Sequence, residues 1–236
     1  MLEIVKQLVP YEFRQRIKRC LFAQRDMEAR LANLRHAGFC PTGVIDAGAF
    51  EGDWTKKFWQ IWPDVPSCLI EPQLGKQELL GALAPLVPGS LSLACAVGAQ
   101  TGMVRFHLAE TNSGISSNLD EDGVTVECRT LDDILGSAIS FRPNFLKLDL
   151  QGHELEALKG CKHHLEQFEV VLLEVSVLRI GDVPIFHDVD QFLEERGYRF
   201  YDAVPEYYRP LDGALWQMDV FYVRKVSKLI GSRSWS

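Results

Sequence analysis

The 236-residue sequence has no apolar run long enough to cross a membrane, and its first residues lack the apolar segment and cleavage site of a secretory signal. Its six cysteines are scattered, and none forms a C-x-x-C pair. The cysteines therefore predict neither a disulfide framework nor a metal site. Together these absences predict a soluble, cytoplasmic protein. The length is sufficient for one sizeable α/β domain with appendages.

Positive charge is also scarce, with 25 Lys and Arg against 32 Asp and Glu, a formal net charge of −7. Residues 1–40 hold eight of the basic residues and four of the acidic ones, so the rest of the chain is strongly acidic. Nucleic-acid partners need a basic footprint for their phosphates. The composition therefore predicts no nucleic-acid partner.

The first 40 residues favour an amphipathic helical extension. After Pro10, apolar residues recur at helical spacing from Phe13 to Leu34 among Arg and Lys side chains. We expect this face to pack on the sheet or to form a homodimer. A lid over the substrate and contact with an anionic membrane surface are the alternatives, and membrane contact is less favoured because acids interrupt the bases. The predicted division is an extension at 1–40, a main domain at 41–225 with a β-pair insertion at about 101–130, and a tail at 226–236.

A dinucleotide fingerprint is absent from the stretch between Gly43 and Thr55. Val44 and Ile45 predict a buried strand, but the turn that follows has only Gly48 and Gly52, and Asp46 stands where the first glycine would be. An acid at that point would repel a pyrophosphate. The turn therefore favours a nucleoside ligand that has no phosphates and a positive charge, such as S-adenosylmethionine.

A second acid follows the next predicted strand, 67–71. Glu71 lies at the end of this strand, where an acid can accept hydrogen bonds from both ribose hydroxyls. Asp46 or Glu71 by itself would be typical of a residue that caps a turn or a helix. The ordered pair, with a glycine turn between, favours a nucleoside site.

Strand and helix patterns then alternate, which predicts a parallel sheet. Asp149 and Glu174 end two further strands on the same edge as Asp46 and Glu71. The remaining predicted strands lie at 91–96, 144–149, 170–174, 198–202 and 217–223, with β-runs at 103–108 and 124–129 and helices at 74–84 and 188–196. In the predicted connector at 203–216, the aromatic residues Tyr207, Tyr208 and Trp216 are candidates for stacking on an acceptor.

Five blocks of sequence resemble the FkbM family of S-adenosylmethionine-dependent methyltransferases. They are Val44 to Gly52 with Thr55, Ile70 to Pro72, Ala96 to Gly98, Thr130 to Asp133, and Lys147 to Gly160. The last block, Lys-Leu-Asp-Leu-Gln-Gly-His-Glu-Leu-Glu-Ala-Leu-Lys-Gly, is the most specific. The resemblance implies a Rossmann-like class I methyltransferase fold, a seven-stranded mixed sheet with helices on both faces. It also implies S-adenosyl-L-methionine as methyl donor and S-adenosyl-L-homocysteine as product.

The expected cofactor site combines these blocks with a serine-rich element, Ser116-Ser-Asn118, that the family has near its active site. Ala96 and Val97, predicted at the end of the third strand, lie where the adenine of such a cofactor usually rests. The candidate cofactor-binding residues are Asp46, Gly48, Ala49, Gly52, Thr55, Glu71, Pro72, Ala96, Val97 and Ser117.

The resemblance implies O-methylation of a sugar, glycan or natural-product hydroxyl, and a hydroxyl acceptor needs a base or a metal. Our hypothesis is that His153, oriented by Asp149 or Glu154, accepts the hydroxyl proton. A divalent metal held by Asp149, Glu154 and Glu174 is a less favoured alternative. The rival functions are an NAD(P)-dependent oxidoreductase and a non-catalytic cofactor-binding or assembly module.

Overall fold

The structure is a computed structural model that describes residues 27–107, 114–115, 123–179 and 183–231. No helix within these ranges is long and apolar enough to cross a membrane. The described helices are α1 (Met27–His36), α2 (Asp53–Ile61), α3 (Leu74–Leu83), α4 (Leu131–Ser137), α5 (Glu154–Lys159) and α6 (Phe186–Glu195). The described strands are β1 (Val44–Ala47), β2 (Ser67–Ile70), β3 (Leu91–Leu93), β4 (Ala96–Val97), β5 (Gly102–His107), β6 (Gly114–Ile115), β7 (Val124–Arg129), β8 (Phe145–Leu148), β9 (Val170–Ser176), β10 (Tyr198–Tyr208) and β11 (Leu215–Arg224).

Seven strands form the central sheet, in the order β10-β11-β9-β8-β1-β2-β3. The five strands from β9 to β3 are parallel, and β11 runs antiparallel to both β9 and β10. β1 and β8 lie at the centre, and all their residues are buried. The predicted seven-stranded mixed sheet is confirmed, and the carboxyl ends of its parallel strands meet at one edge.

Helices cover both faces of this sheet, because alternate strand residues point to opposite sides. Leu31 of α1, Phe58 of α2 and Leu80 of α3 pack with Val44 and Phe145 on one face. Side chains of α4, α5 and α6 pack on the other face, where the buried residues include Ile45, Leu146, Ile134, Leu158 and Leu193. We refer below to the first side as the α1–α3 face.

A smaller sheet has the strand order β4-β7-β5-β6. It contains both predicted β-runs, and β5 pairs antiparallel with β7. The prediction that Ala96 and Val97 end the third strand is wrong. β3 stops at Leu93, and Ala96 and Val97 form the separate strand β4, which pairs in parallel with β7.

The predicted connector at 203–216 is much shorter in the structure. β10 continues to Tyr208 and β11 begins at Leu215, so only six residues join the two strands. Pro205 and the polar residues around it obscured the strand pattern in the sequence, but register shifts between Phe200 and Asp202 and between Pro205 and Tyr207 let the hairpin accommodate them. Tyr207 and Trp216 therefore lie on strands.

Candidate active site

The strands change from apolar to polar along the α1–α3 face as they approach the carboxyl edge. In β8 and the residue after it, Phe145 is followed on the same side by Lys147 and then Asp149, and in β9 Leu172 is followed by Glu174. In β1, Asp46 is the next residue after Val44 on this face. The same period of two that builds the core thus places a row of charged side chains at one end of it.

Asp46 is one of these charged side chains, and it is fully buried. Its Oδ2 accepts a hydrogen bond of 2.5 Å from Thr55 Oγ1, and its Oδ1 lies 3.0 Å from Lys147 Nζ. Burial by itself lowers the pKa of Lys147, but the carboxylates of Asp46 and Asp149 outweigh it and the net shift is upward. Lys147 is therefore a buried cation that neutralises Asp46.

The turn after β1 approaches the end of β8 closely. Gly48 has a φ of +78°, and a Cβ atom at this position would lie 1.9 Å from the carbonyl oxygen of Asp149. Its own carbonyl accepts a hydrogen bond of 2.9 Å from Lys147 Nζ. Only glycine fits this combination of a left-handed backbone and a close contact.

Glu71 follows β2 and turns its carboxyl toward the same turn. Its Oε2 accepts from the backbone N–H of Phe50 at 3.0 Å, and its Oε1 accepts from the backbone N–H of Gln73 at 3.0 Å. Burial raises the pKa of Glu71, although both of these hydrogen bonds oppose that shift. A carboxylate has about four lone-pair sites, so two remain for a ligand diol.

A cavity of about 540 Å³ runs along this edge of the sheet. Its wall includes Gly48, Glu71 and the short strand β4, together with Phe106 and Ile115 of the small sheet. It is also lined by polar and aromatic side chains: Asp149, Gln151, His153, Glu174, Tyr207, Trp216 and Gln217. The cavity thus brings residues suited to a nucleoside together with polar and aromatic side chains.

His153 lies at the N-terminus of α5 and lines the cavity. Its Nδ1 is buried and has no hydrogen-bond partner among the described residues. Burial lowers the pKa of His153, against a smaller opposing effect of Glu156, so the ring is neutral near pH 7. A neutral imidazole with a free nitrogen is suited to accept a proton.

The predicted orientation of His153 by Asp149 or Glu154 is not found. Glu154 Oε1 accepts from the backbone N–H groups of Leu150 at 2.7 Å and Gly152 at 3.3 Å, so it closes the turn before α5. Asp149 Oδ1 instead accepts from Gln151 Nε2. Both carboxyls are held by their own loop, because it bends back on itself between β8 and α5.

Asp149 and Glu174 lie on neighbouring parallel strands, as predicted, and one side chain joins them. Gln151 Nε2 donates to Asp149 Oδ1 at 2.9 Å and to Glu174 Oε2 at 3.1 Å. Gln217 Nε2 of β11 donates to the same Glu174 oxygen at 3.2 Å. Burial, followed by the negative charges of Asp149, Glu154 and Asp219, raises the pKa of Glu174 to about 9.

A smaller cavity of about 170 Å³ shares Asp149, Glu174 and Tyr207 with the main one. Its wall also includes Trp54 and Lys57 of α2, Met27 of α1, and Glu206 and Asp219 of the β10–β11 hairpin. Glu206 and Asp219 share a side-chain hydrogen bond, and burial raises the pKa of Asp219 well above its ordinary value. Within the described parts of the chain, no group of three or more His, Cys, Asp or Glu side chains is arranged to hold a metal ion.

The predicted site residues thus fall into three groups. The main cavity is lined by Gly48, Glu71, Pro72, Ala96, Val97, Asp149, His153 and Glu174. Asp46, Ala49, Gly52, Thr55 and Glu154 are buried and do not line it. Ser117, with the rest of Ser116 to Asn118, lies outside the described residues, as do residues 1–26 of the predicted extension.

Sequence reasoning missed three polar residues of the site: Lys147, Gln151 and Gln217. Lys147 had a recognisable signal, since it precedes Asp149 by two residues in a strand and so shares its face. Gln151 lies inside a recognised motif, but nothing in the sequence indicates which way its amide points. Gln217 reaches the site through the pairing of β11 with β9, and no local pattern predicts that contact.

Comparison with known proteins bears on the family and the fold of this chain. A family model described as "Methyltransferase FkbM domain" matches residues 46–200. The hexuronic acid methyltransferase AglP of Haloferax volcanii is 34% identical over 55 residues, which is 23% of either chain.

Two solved structures are similar in fold. The methyltransferase FkbM of Methylobacillus flagellatus KT has a TM-score of 0.51 at 17% identity, over 76% of this chain and 43% of that one. The magnesium protoporphyrin IX methyltransferase ChlM of Synechocystis PCC 6803, crystallised with bound SAM, has a TM-score of 0.50 at 14% identity, over 84% and 77% of the two chains. This chain spans less than half of the first structure. The likeness confirms the class I methyltransferase fold.

Proposed function

The chain belongs to the FkbM methyltransferase domain family, and we propose that it is an S-adenosylmethionine-dependent O-methyltransferase that acts on a hydroxyl of a sugar, glycan or natural product. The observation that carries the proposal is that Glu71, β4, Asp149 and His153 line the same cavity. A donor and an acceptor held in that cavity would meet beside Asp149.

Glu71, Gly48 and the strand β4 fit the cofactor. Glu71 keeps two free lone-pair sites for the ribose hydroxyls, and the absent Cβ of Gly48 leaves room for a ligand against the backbone. Ala96 and Val97 offer a small apolar surface for the adenine. Asp46 supports the turn through Thr55 and Lys147, because its own carboxyl is fully buried. When bound, the cofactor supplies an electrophilic methyl group on a sulfonium. Once that methyl group is transferred, the rest of the cofactor leaves as a neutral thioether.

Other residues of the cavity wall fit a hydroxyl acceptor. His153 lines the cavity, and its lowered pKa keeps the ring neutral and able to take the hydroxyl proton as the oxygen–carbon bond forms. Tyr207 and Trp216 add aromatic side chains to this wall. The main contribution of the protein to such a displacement is alignment of the two reactants.

Two further observations bear on the acceptor. The short match to the hexuronic acid methyltransferase AglP favours a sugar. Aromatic side chains beside Gln151, Gln217 and carboxyl groups also suit the flat and hydroxyl-rich faces of a sugar ring. A macrocyclic or aromatic natural product with a free hydroxyl is the second acceptor class that this wall would accommodate.

Calorimetric titration with S-adenosylhomocysteine and a parallel titration with NAD test the cofactor. We expect micromolar binding of the first and none of the second; the opposite result would support the oxidoreductase alternative. Labelled methyl transfer from S-adenosylmethionine to a panel of glycosides, glycans and phenols tests the acceptor. Product formation that survives exhaustive chelation would exclude the metal alternative, and cofactor binding without transfer to any acceptor would favour the non-catalytic module.

A further inference from the structure

Gln151 has a strained backbone at the centre of the site. It and Phe50 are the two non-glycine residues with positive φ among the described residues, at +54° and +47°, and both line the main cavity. For a non-glycine residue this conformation costs about 1–3 kcal/mol. Because Gly152 follows and already supplies a flexible turn, the strain at Gln151 indicates that its side chain has a role.

The side chain of Gln151 donates both of its N–H groups to carboxyl groups. Its Nε2 lies 2.9 Å from Asp149 Oδ1 and 3.1 Å from Glu174 Oε2, and an amide nitrogen has two hydrogens. Gln217 adds a second donor to Glu174 Oε2. Two amides thus converge on one oxygen of Glu174 and leave Oε1 as the oxygen that can bear a proton.

If Asp149 and Glu174 were both ionised, they would repel each other. The charged groups that face Glu174 are Asp149, Glu154, Asp219 and Lys147, and three of the four are acids. Lys147 Nζ lies 3.5 Å from Asp149 Oδ2, but it is already engaged by Asp46 and by the Gly48 carbonyl. The neutral amide of Gln151 is therefore the bridge that holds the pair together.

We propose that Gln151 is a positioning residue whose amide joins Asp149 and Glu174 into one hydrogen-bonding surface, and that this surface binds the acceptor hydroxyl beside His153. The acceptor part of the inference rests on the proposed function, whereas the bridged carboxyl pair does not. With a pKa of about 9, Glu174 is protonated at pH 7 and donates through Oε1, while Asp149 accepts. A hydroxyl is both donor and acceptor, so it satisfies both partners.

Gln151→Met tests the bridge, since it preserves side-chain length and the strained backbone but removes the amide. An N–H donor favours the ionised form of a carboxyl. Loss of the amide should therefore cost more stability above the pKa of Glu174 than below it. We expect the unfolding equilibrium constant of Gln151→Met, relative to wild type, to rise by roughly tenfold between pH 7 and pH 10.

Gln151→Gly removes the strain as well as the amide, so it should be more stable than Gln151→Met at every pH and show the same pH trend. Gln191→Met, on the exposed face of α6, is the matched control and should follow wild type at every pH. A ratio between Gln151→Met and wild type that stays constant from pH 7 to pH 10 would overturn the bridge. This series needs no acceptor.

Steady-state kinetics test whether the carboxyl pair binds the acceptor hydroxyl. The acceptor used is the one that gives the highest turnover in the labelled-methyl panel. Gln151→Met should raise the KM for that acceptor by about tenfold and leave S-adenosylhomocysteine affinity within about twofold. An unchanged KM and kcat would show that the pair does not bind the acceptor. Failure of wild type to bind S-adenosylhomocysteine would instead contradict the proposed function and leave the result of the pH series standing.

Discussion

Lys147 Nζ lies 3.0 Å from Asp46 Oδ1 and 2.9 Å from the Gly48 carbonyl oxygen, so one buried ammonium ties β8 to β1 and to the turn that follows it. The pairing of β1 with β8 sets Asp46 directly opposite Lys147. Asp149, two residues further along, faces the cavity. The charge that stabilises the turn and the carboxyl that faces the cavity therefore lie two residues apart, at the end of β8 and just after it.

Lys147→Met should destabilise the protein by about 3–5 kcal/mol, because it leaves Asp46 buried without its cation. The double variant Asp46→Asn/Lys147→Met should recover part of that loss, since no buried charge then remains unpaired. Chemical denaturation measures both. Lys159→Met, which breaks an exposed pair with Glu156, should change stability by less than about 0.5 kcal/mol. Equal effects of the two lysine substitutions would contradict the assignment.

Glu71→Gln should weaken S-adenosylhomocysteine binding about 10- to 100-fold with the fold retained, because hydrogen bonds from ribose hydroxyls to a charged acceptor would be lost. Titration calorimetry measures the affinity. Glu78→Gln makes the same chemical change on the exposed side of α3 and should bind like wild type. If Glu71→Gln bound S-adenosylhomocysteine as tightly as wild type, the assignment of the ribose site would be wrong.

Gly48→Ala should disrupt the turn and abolish cofactor binding, since the new Cβ would collide with the Asp149 carbonyl at 1.9 Å. Gly38→Ala is the control: its φ of +91° is equally unusual, but no atom lies within 4 Å of the added Cβ. That variant should lose about 1 kcal/mol through backbone strain and still bind the cofactor. Thermal unfolding together with calorimetry separates the two effects.

His153→Ala should lower kcat by roughly 10²- to 10⁴-fold with little change in S-adenosylhomocysteine affinity. In wild type, kcat should rise with pH with a midpoint below pH 6.5, because the buried imidazole releases its proton below its ordinary pKa. A pH–rate profile of wild type and variant measures this. The hypothesis fails if the acidic limb persists unchanged in His153→Ala.

Glu174→Gln should become progressively more stable than wild type as the pH rises from 5 to 9. The folded protein holds the Glu174 proton up to a pKa of about 9, whereas the unfolded chain releases it near 4.5, so wild type loses stability across this window. The gain at pH 9 should reach at most about 6 kcal/mol, because the two pKa values differ by about 4.5 units and each unit contributes about 1.4 kcal/mol. Glu166→Gln, on an exposed side chain, is the control and should show no such trend. Denaturation at pH 5, 7 and 9 distinguishes the outcomes.

Local patterns were sufficient for most of the central sheet. Apolar runs bounded by turn residues predict β1, β2, β8 and β9, and an acid after β2 or β8 indicates a site because parallel strands end at a common edge. Thr130 is the N-cap of α4, where its side chain accepts from the backbone N–H of Asp133. Such signals are readable because they depend on neighbours within a few residues.

Contacts between distant segments were not readable in this way. Ala96 and Val97 follow the β3 pattern without a break, yet they pair with β7 as part of the small sheet. Likewise, Pro205 and its polar neighbours suggest a loop, but the pairing of β10 with β11 holds them in an extended hairpin. Tertiary pairing overrode local propensity in both places.

The sequence by itself determined most strands of the central sheet and that Gly48, Glu71, Asp149 and His153 lie near one edge, because period, turn residues and strand ends are local properties. Only the tertiary structure decided what each charged group does. Strand register brings Asp46 onto Lys147, and the β11 hairpin brings Gln217 onto Glu174. Burial by surrounding elements then sets the protonation of each carboxyl, and no short stretch of sequence specifies that environment.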